Sequence, residues 1–285
     1  MSVLSIITVN LNNAIGLEKT FKSVASMEGI EFEYIVIDGG STDSSLDILH
    51  RYQHIITRWV SEPDGGIYLA MNKGITYATG DYCLFLNAGD WLTSPTILTQ
   101  FFEQKPNADI VAGNVYFFDT IENKIKWHIE SPNVLTAKNL FYGTLPHQAT
   151  LIKRTLFEQV GYYNLHFKIV SDWLFWLDAL IEHKASYQHI PLTMTFFAMD
   201  GISCQPAGSS ALAAERKRIL LEKYSLFLSD YNLLNELEQY QLNWQSSQSF
   251  IVVNFLQRIG VIGFGEFIIR LKNWLVRQSR TMILV

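Results

Sequence analysis

The sequence is short of charge. Asp, Glu, Lys and Arg make up 17% of its 285 residues, against the quarter usual in a soluble domain, and their balance is −5. That balance, without the clustered Lys and Arg that neutralise phosphates, argues against a nucleic-acid partner. Cysteine is scarcer still. Cys83 and Cys204 lie far apart, with no CxxC pair and no disulfide framework, so a reducing cytoplasm is expected. Cys83 sits in an apolar run and reads as a buried thiol. The first residues, MSVLSIITVN, have neither a basic start nor a small-residue cleavage site, and no secretory signal is expected from them. No uncharged apolar run approaches the roughly 18 residues of a spanning helix. Internal repeats and low-complexity tracts are missing as well. What the chain does have is apolar matter. It is 48% hydrophobic and 13% aromatic, with a mean hydropathy of +0.11, enough for a sizeable core and greasy enough to suggest a membrane surface or a partner.

The first third alternates strand and helix. Residues 4–9 (LSIITV) and 34–37 (YIVI) are β-branched runs too short for helices; residues 57–60 and 82–86 add two more, and 108–118 hold a fifth. Between them, SSLDILHRY follows a Ser-Thr-Asp cap at 41–43, and residues 67–78 space their apolar side chains helically before Gly80. Strand, turn, helix, strand at this spacing predicts βαβ units and an α/β fold with a mostly parallel central sheet, its strands covered on both faces. In open sheets of this kind, ligand groups collect at the carboxyl ends of the strands. Those ends read VNLNN, IDGGSTD, SEPDGG and LNAGD. All are polar and three carry glycine. Four in succession describe the rim of a ligand site.

Taken in order, SIITVNLNN, IVIDGGSTDSS, SEPDGGIYLAMNKGI and ATGDYCLFLNAGD resemble the family 2 glycosyltransferases of the Rossmann-related GT-A fold; HQATLIKR and VSDWLFWL extend the resemblance to about residue 180. These enzymes move a sugar from a nucleoside diphosphate with inversion at the anomeric carbon. The resemblance implies a nucleotide-sugar donor, a UDP-sugar, and a Mg2+ or Mn2+ ion to compensate the charge of the departing diphosphate. It implies Asp90 as the metal carboxylate, on a turn softened by Gly89, although Asn87 and Gly89 stand where the family often has acids. Thr8, Asn10, Asp38, Asp64 and Asn87 are the implied nucleotide contacts. Asp172 falls on the position of the general base, which takes the proton of the acceptor hydroxyl, and Ser171 replaces a first acid there. His147, Gln148 and Trp173 fall on segments lining the donor-sugar or acceptor pocket. Lys73 reads as a solvated helix lysine. Plainer roles stay open beside these: Asp38 as an Asx-turn acid, Asp90 as a turn residue, Ser171-Asp172 as a helix start, Trp173 and Trp176 as core.

After about residue 120 the pattern changes, to a short strand over 124–129, a turn and strand over 143–153 and an apolar helix over 171–182. GISCQPAGSS (201–210) is the best candidate boundary. The expected division is a catalytic domain over 1–205, with a nucleotide half (1–118) and an acceptor half (119–205), then a helical extension over 206–285. From Asn254 onward the tail sets Arg258, Arg270, Lys272, Arg277 and Arg280 against Glu266, with Phe255, Ile259, Phe267 and Trp274 between them. Such a segment reads as an interfacial anchor to a membrane surface; a helix pair packed on the catalytic domain or in a homodimer interface is the alternative. The anchor agrees with what the resemblance implies, a peripheral enzyme on the inner face of the cell membrane. It would act on a lipid-linked or oligosaccharide acceptor in O-antigen, capsule or exopolysaccharide assembly. Two other classes stand beside it. A nucleotidyltransferase would want a basic glycine-rich loop after the first strand, which VNLNNAIG lacks. A catalytically weak nucleotide-sugar-binding scaffold fits the thinned acidic cluster.

Overall fold

Strand β1 (Leu4–Asn10) is buried at every position, as a strand covered on both faces must be. It lies parallel to β2 (Phe32–Asp38) on one side and to β4 (Tyr82–Phe85) on the other, with β3 (Arg58–Ser61) parallel outside β2. Helices α1 (Ala14–Ala25), α2 (Ser45–Tyr52) and α3 (Ile67–Tyr77) make the connections. These are the βαβ units anticipated from the alternation. The computed structural model describes residues 3–201 and 204–246 and divides into two units after Lys223.

Beyond β4 the sheet becomes mixed. The remaining strands are β5 (Trp91–Leu92), β6 (Ile110–Asp119), β7 (Lys124–Ile129), β8 (Thr150–Lys153) and β9 (Tyr187–Ala198), and the order is β3-β2-β1-β4-β8-β6-β9-β5 with β7 beside β6. Strand β8 enters between β4 and β6 and runs antiparallel to both. β6 pairs parallel with β9, while β7 and β5 pair antiparallel with β6 and β9. The parallel expectation therefore describes β3-β2-β1-β4 and the β6–β9 pair. Of the rest, β7 returns from β6 by a tight turn, which reverses the strand, while β8 is reached through α5.

Helices α4 (Ile97–Glu103), α5 (Ala137–Tyr142), α6 (Arg154–Val160) and α7 (Ser171–Leu177) complete the covering. A core of Leu17, Phe21, Tyr34, Phe101, Val111 and Met194 packs against the sheet. A second, aromatic cluster joins Phe85, Phe157, Tyr163 and Phe175 at centroid distances of 4.8–6.2 Å. Each such side chain contributes about 1.5–3 kcal/mol of burial.

Helix α8 (Pro206–Lys223) groups with this first unit, so the division falls eighteen residues later than the 205/206 boundary anticipated. Side chains hold it there. Glu215 accepts from the backbone N–H groups of Lys168 (3.0 Å) and Ile169 (3.1 Å). Arg216 donates to Gly143 O, and Lys223 reaches Asp178 (2.5 Å) and Glu182 (3.0 Å). The second unit is described through helix α9 (Ser225–Ser246). The basic segment from Asn254, with its membrane reading, lies outside the described residues. Among the described residues no helix is long and apolar enough to cross a membrane.

Candidate active site

Parallel strands end on one edge. The register sets Asn10 beside Asp38 and Asp38 beside Ser61. The β4 ladder continues past Phe85, with Leu86 N donating to Ile7 O (2.9 Å) and Ala88 N to Val9 O (3.1 Å). The LNAGD turn thus emerges next to the tip of β1. Gly89 takes φ +110°, a conformation side-chain-bearing residues rarely adopt. Helix α1 then clamps the turn. The Thr20 hydroxyl donates to Asp90 O (2.7 Å) and accepts from Gly89 N (3.0 Å), and Asn13 Nδ2 donates to Ala88 O (3.0 Å). From the other side, Ala198 N at the end of β9 donates to Asp90 Oδ1 (3.0 Å).

Asp90 is only 4% exposed and has no ion-pair partner among the described residues. Its carboxyl is pushed up to about 7, chiefly by burial, with Asp200 adding to the effect and the Ala198 N–H, His147 and Lys19 opposing it. Three residues earlier, Asn87 Oδ1 is buried without a hydrogen bond, while Asn87 Nδ2 lies 3.2 Å from His147 Nε2. His147 Nδ1 lies 3.3 Å from Asp172 Oδ2. The Tyr68 hydroxyl lies 2.6 Å from Ile169 O and 2.9 Å from Asp172 Oδ1, its one proton shared between these two acceptors. Asn87, His147, Asp172 and Tyr68 thus form a chain, delivered by β4, the turn before β8, the start of α7, and α3. Asp172 stands in the first turn of its helix, where the backbone dipole favours a carboxylate. Burial pushes the Asp172 carboxyl up, but His147 and Tyr68 outweigh it and hold it below the usual range. Burial likewise pulls the His147 imidazole down, and the Asp172 carboxylate more than restores it, so its pKa is raised. The pair favours opposite charges.

The other residues singled out in the sequence fall differently. Asp64 lies against the tip of β2: a Cβ on Gly39 would stand 2.9 Å from Asp64 Oδ2, while Asp64 Oδ1 accepts from Gly66 N (2.9 Å). Asn10 donates to Asp38 Oδ1 (2.7 Å) and keeps a buried, unpartnered Oδ1. Asp38 is fully buried. It accepts from Asn10, from the Ser41 and Ser61 hydroxyls, and from the N–H groups of Gly40 and Ser41. Burial opposes these donors without cancelling them, and its pKa stays low. These contacts are those of the Asx-turn role. Thr8 is likewise 0% exposed, its hydroxyl donating to Leu86 O (2.6 Å) and 2.9 Å from Tyr34 Oη, so it ties strands together instead of facing a ligand. Trp173 is core. Its Nε1 donates to Leu140 O (2.7 Å), and the Arg216 guanidinium lies 4.6 Å over its ring, leaving no face for a sugar. Gln148 is buried beside His147. Lys73 pairs with Glu62.

Tyr68, Lys19 and Asp200 were not singled out in the sequence. Tyr68 and Asp172 are 104 residues apart, and no local pattern joins them. Lys19 stands on α1 with Nζ 3.1 Å from the Trp91 ring centroid. Asp200, in MDGIS at the end of β9, did carry a signal: an Asp-Gly step after a strand, like EPDGG.

Among the described residues no group of three or more His, Cys, Asp and Glu is placed to hold a metal ion. A bound diphosphate, however, brings its own oxygens, and then few protein ligands are needed. The unpaired, desolvated Asp90 and the unpartnered Asn87 oxygen are hard donors of the kind Mg2+ or Mn2+ takes.

Comparison with known proteins agrees with this architecture. The model of glycosyl transferase family 2 matches residues 5–183. An uncharacterized glycosyltransferase of Mycobacterium tuberculosis is 34% identical over 180 residues, covering 62% of this chain and 68% of that protein. A PGL/p-HBAD biosynthesis glycosyltransferase of Mycobacterium bovis is also 34% identical over 180 residues, covering 60% and 67%. The fold is shared with Staphylococcus aureus TarS 1–349 in complex with UDP-GlcNAc, at TM-score 0.55 and 18% identity over 70% of this chain and 58% of that one. It is shared too with the mannosyltransferase PcManGT of Pyrobaculum calidifontis in complex with GDP-Man and Mn2+, at TM-score 0.54 and 15% identity over 86% and 88%. On the span of that family match and the identity of the mycobacterial relatives, this chain belongs to glycosyl transferase family 2 and is a glycosyltransferase.

Proposed function

We propose that the chain transfers a sugar, with inversion, from a UDP-sugar to a hydroxyl of a lipid-linked glycan acceptor in bacterial surface polysaccharide assembly. One observation carries the chemistry. A desolvated carboxylate (Asp90) shares the strand-edge turn of Asn87, and Asn87 reaches an ionised, hydrogen-bonded carboxylate on a separate helix (Asp172) through His147. Asp64, Asn10 and Asn87 are the nucleotide-side contacts, and Asp38 and Thr8 shape the edge that carries them. The acceptor oxygen forms its bond to the anomeric carbon as the bond from that carbon to the diphosphate oxygen breaks. The hydroxyl proton passes to Asp172, and the nucleoside diphosphate departs with the electron pair. Asp172 stays ionised at neutral pH because His147 and Tyr68 donate to it, so it is ready to accept; the same two groups fix its orientation. Asp90 and Asn87 Oδ1 are the groups that would hold Mg2+ or Mn2+. When bound, that ion supplies positive charge to the leaving diphosphate. The lipid-linked acceptor is supported by the basic, aromatic composition of the tail and by the PGL/p-HBAD naming of relatives.

The test is a thermal-shift series with UDP, GDP and CDP, with and without Mn2+, on the wild type and Asp172→Asn. UDP at about 100 times its Kd stabilises by about 2.7 kcal/mol. Wild type and variant both shift with UDP, and turnover of the variant falls about 10²–10⁴-fold, the usual share of a general base. A protein that responds to no nucleotide, or a variant that keeps its turnover, refutes the assignment.

A further inference from the structure

His147 and Asp172 arrive on different segments of chain. His147 follows the loop that leaves α5 at Gly143, and Asp172 opens α7 after the turn that precedes it. Their Nδ1–Oδ2 separation of 3.3 Å is at the long end for a hydrogen bond, so a small displacement of either segment breaks it. Helix α8 reaches both segments. Glu215 takes the consecutive backbone N–H groups of Lys168 (3.0 Å) and Ile169 (3.1 Å), one on each carboxylate oxygen. The carbonyl of that same Ile169 lies 2.6 Å from the Tyr68 hydroxyl, which stands 2.9 Å from Asp172 Oδ1. The next residue, Arg216, donates to Gly143 O, at the start of the GTLPH loop that leads to His147. Its guanidinium lies 4.6 Å from the centre of the Trp173 ring, beside Asp172 in the chain. Trp173 Nε1 in turn donates to Leu140 O (2.7 Å), on α5.

From these contacts we infer that Glu215 and Arg216 are positioning residues of the transfer: α8 clasps the segment before Asp172 and the segment before His147, and so sets the distance between those two side chains. The inference rests on the role of Asp172 proposed above. The helix lies outside residues 5–183, the span matched by the family model. The chemistry of the clasp suits the task. Apolar packing tolerates sliding. A carboxylate on two N–H groups fixes direction as well as distance, and so does a planar guanidinium that donates along its edge while lying against an indole. One apolar anchor, Ile219 (2% exposed), seats the helix. The Arg218 guanidinium lies 4.7 Å from the centre of the Phe167 ring, next to the N–H groups that Glu215 holds. Burial pulls the Arg216 pKa down and the Asp172 carboxylate works against that loss, so the clasp and the base share one electrostatic neighbourhood. Glu215 and Arg216 act through Asp172 and His147, not on the sugar.

The measurement is NMR of the histidine imidazole nitrogens on the full chain at one neutral pH. The proteins are wild type, Glu215→Gln, Arg216→Gln, Arg216→Lys and the control Lys217→Gln, an exposed residue of the same helix. His147→Gln assigns the His147 signals, and Asp172→Asn shows where they move when the bond to the carboxylate is lost. Thermal unfolding checks that each variant is folded. UDP release is followed alongside, from whichever of UDP-glucose, UDP-galactose and UDP-GlcNAc the wild type hydrolyses fastest. Glu215→Gln and Arg216→Gln should displace the His147 signals toward their place in Asp172→Asn, and Lys217→Gln should leave them alone. Arg216→Lys, which keeps the charge and a donor for Gly143 O, should displace them less than Arg216→Gln. Turnover should fall about 10- to 100-fold in the two Gln variants, as for a misplacement of about 1 Å, with KM for the donor changed less than about 3-fold. His147 signals at their wild-type positions in the folded Gln variants overturn the inference, and so does an equal displacement by Lys217→Gln. Signals that move as expected while UDP release keeps its wild-type rate leave the clasp standing and overturn the role of Asp172 instead.

Discussion

Replacing Gly39 with Ala isolates the role of Asp64. A methyl group there would stand 2.9 Å from Asp64 Oδ2, 3.2 Å from Cγ and 3.3 Å from Oδ1. Those separations are too short for a carbon beside a carboxylate, so one of the two must yield. Gly39 lies outside the left-handed region, so its backbone accepts Ala, and the yielding partner is the end of a side chain. Stability should stay level or rise by about 0.4–1 kcal/mol, as for Gly to Ala at compatible sites. If Asp64 binds the donor, its displacement loses one charge-assisted hydrogen bond, about 1.5–3 kcal/mol. At 1.4 kcal/mol per decade, that is roughly a 10- to 150-fold weakening of UDP binding by isothermal titration calorimetry. Because Gly39→Ala acts through Asp64, the double variant Gly39→Ala/Asp64→Asn should bind no worse than Asp64→Asn alone. Additive losses, or Gly39→Ala binding UDP as tightly as wild type, would refute this reasoning.

Two further outcomes follow from buried polar groups at the same edge. Thr8→Val keeps the shape but leaves Leu86 O and the Tyr34 hydroxyl short of a partner; urea unfolding should register a loss of about 1–3 kcal/mol, with UDP affinity intact, and the reverse pattern would return Thr8 to the ligand. Glu33 accepts from Ser5, Thr79 and Gly80; burial raises its pKa and these donors overcome it, leaving it lowered from 4.5. Its stabilisation is therefore complete above pH 4.5 and lost as pH falls through the depressed folded value, so the stability gap between wild type and Glu33→Gln should narrow on acidification. A constant gap between pH 7 and pH 3 would show that the ionised form contributes nothing.

Strand tips were legible in the sequence because parallel strands require crossover helices, and that spacing survives in the order of residues. The four polar tips could therefore be assigned to one edge before any contact was known, and Asp64, Asn87 and Asp90 are there. Which tip residues face outward was not legible. Thr8 and Asn10 alternate onto the same face of β1, yet the Thr8 hydroxyl is taken up by Leu86 O and Tyr34, which the sequence places 78 and 26 residues away. The turn role of Asp38 was legible, because the DGGS step supplies donors to the carboxylate that precedes it. The entry of β8 between β4 and β6, and the packing of α8 through Glu215 and Arg216, depend on long-range pairing that no local period encodes. Tyr68 was hidden for that reason too.

Asp90 gathers these threads. A carboxylate only 4% exposed and without a counter-ion is unfavourable, and a fold under selection for stability alone would have neutralised it or moved it to solvent. Here α1 grips the backbone of its turn through Thr20 and Asn13, β9 supplies one N–H to its side chain, and Gly89 provides the conformation that allows both. None of these contacts brings a full positive charge to Asp90. They fix its position and leave its charge uncompensated. Local rules broken in this way, with the surrounding structure holding the violation in place, are expected where a ligand completes the arrangement. The Asp172 side is the opposite case, a carboxylate already satisfied by His147 and Tyr68. On the proposed function one acid waits for positive charge and the other for a proton, and an inverting transfer that expels a diphosphate while deprotonating an alcohol needs both.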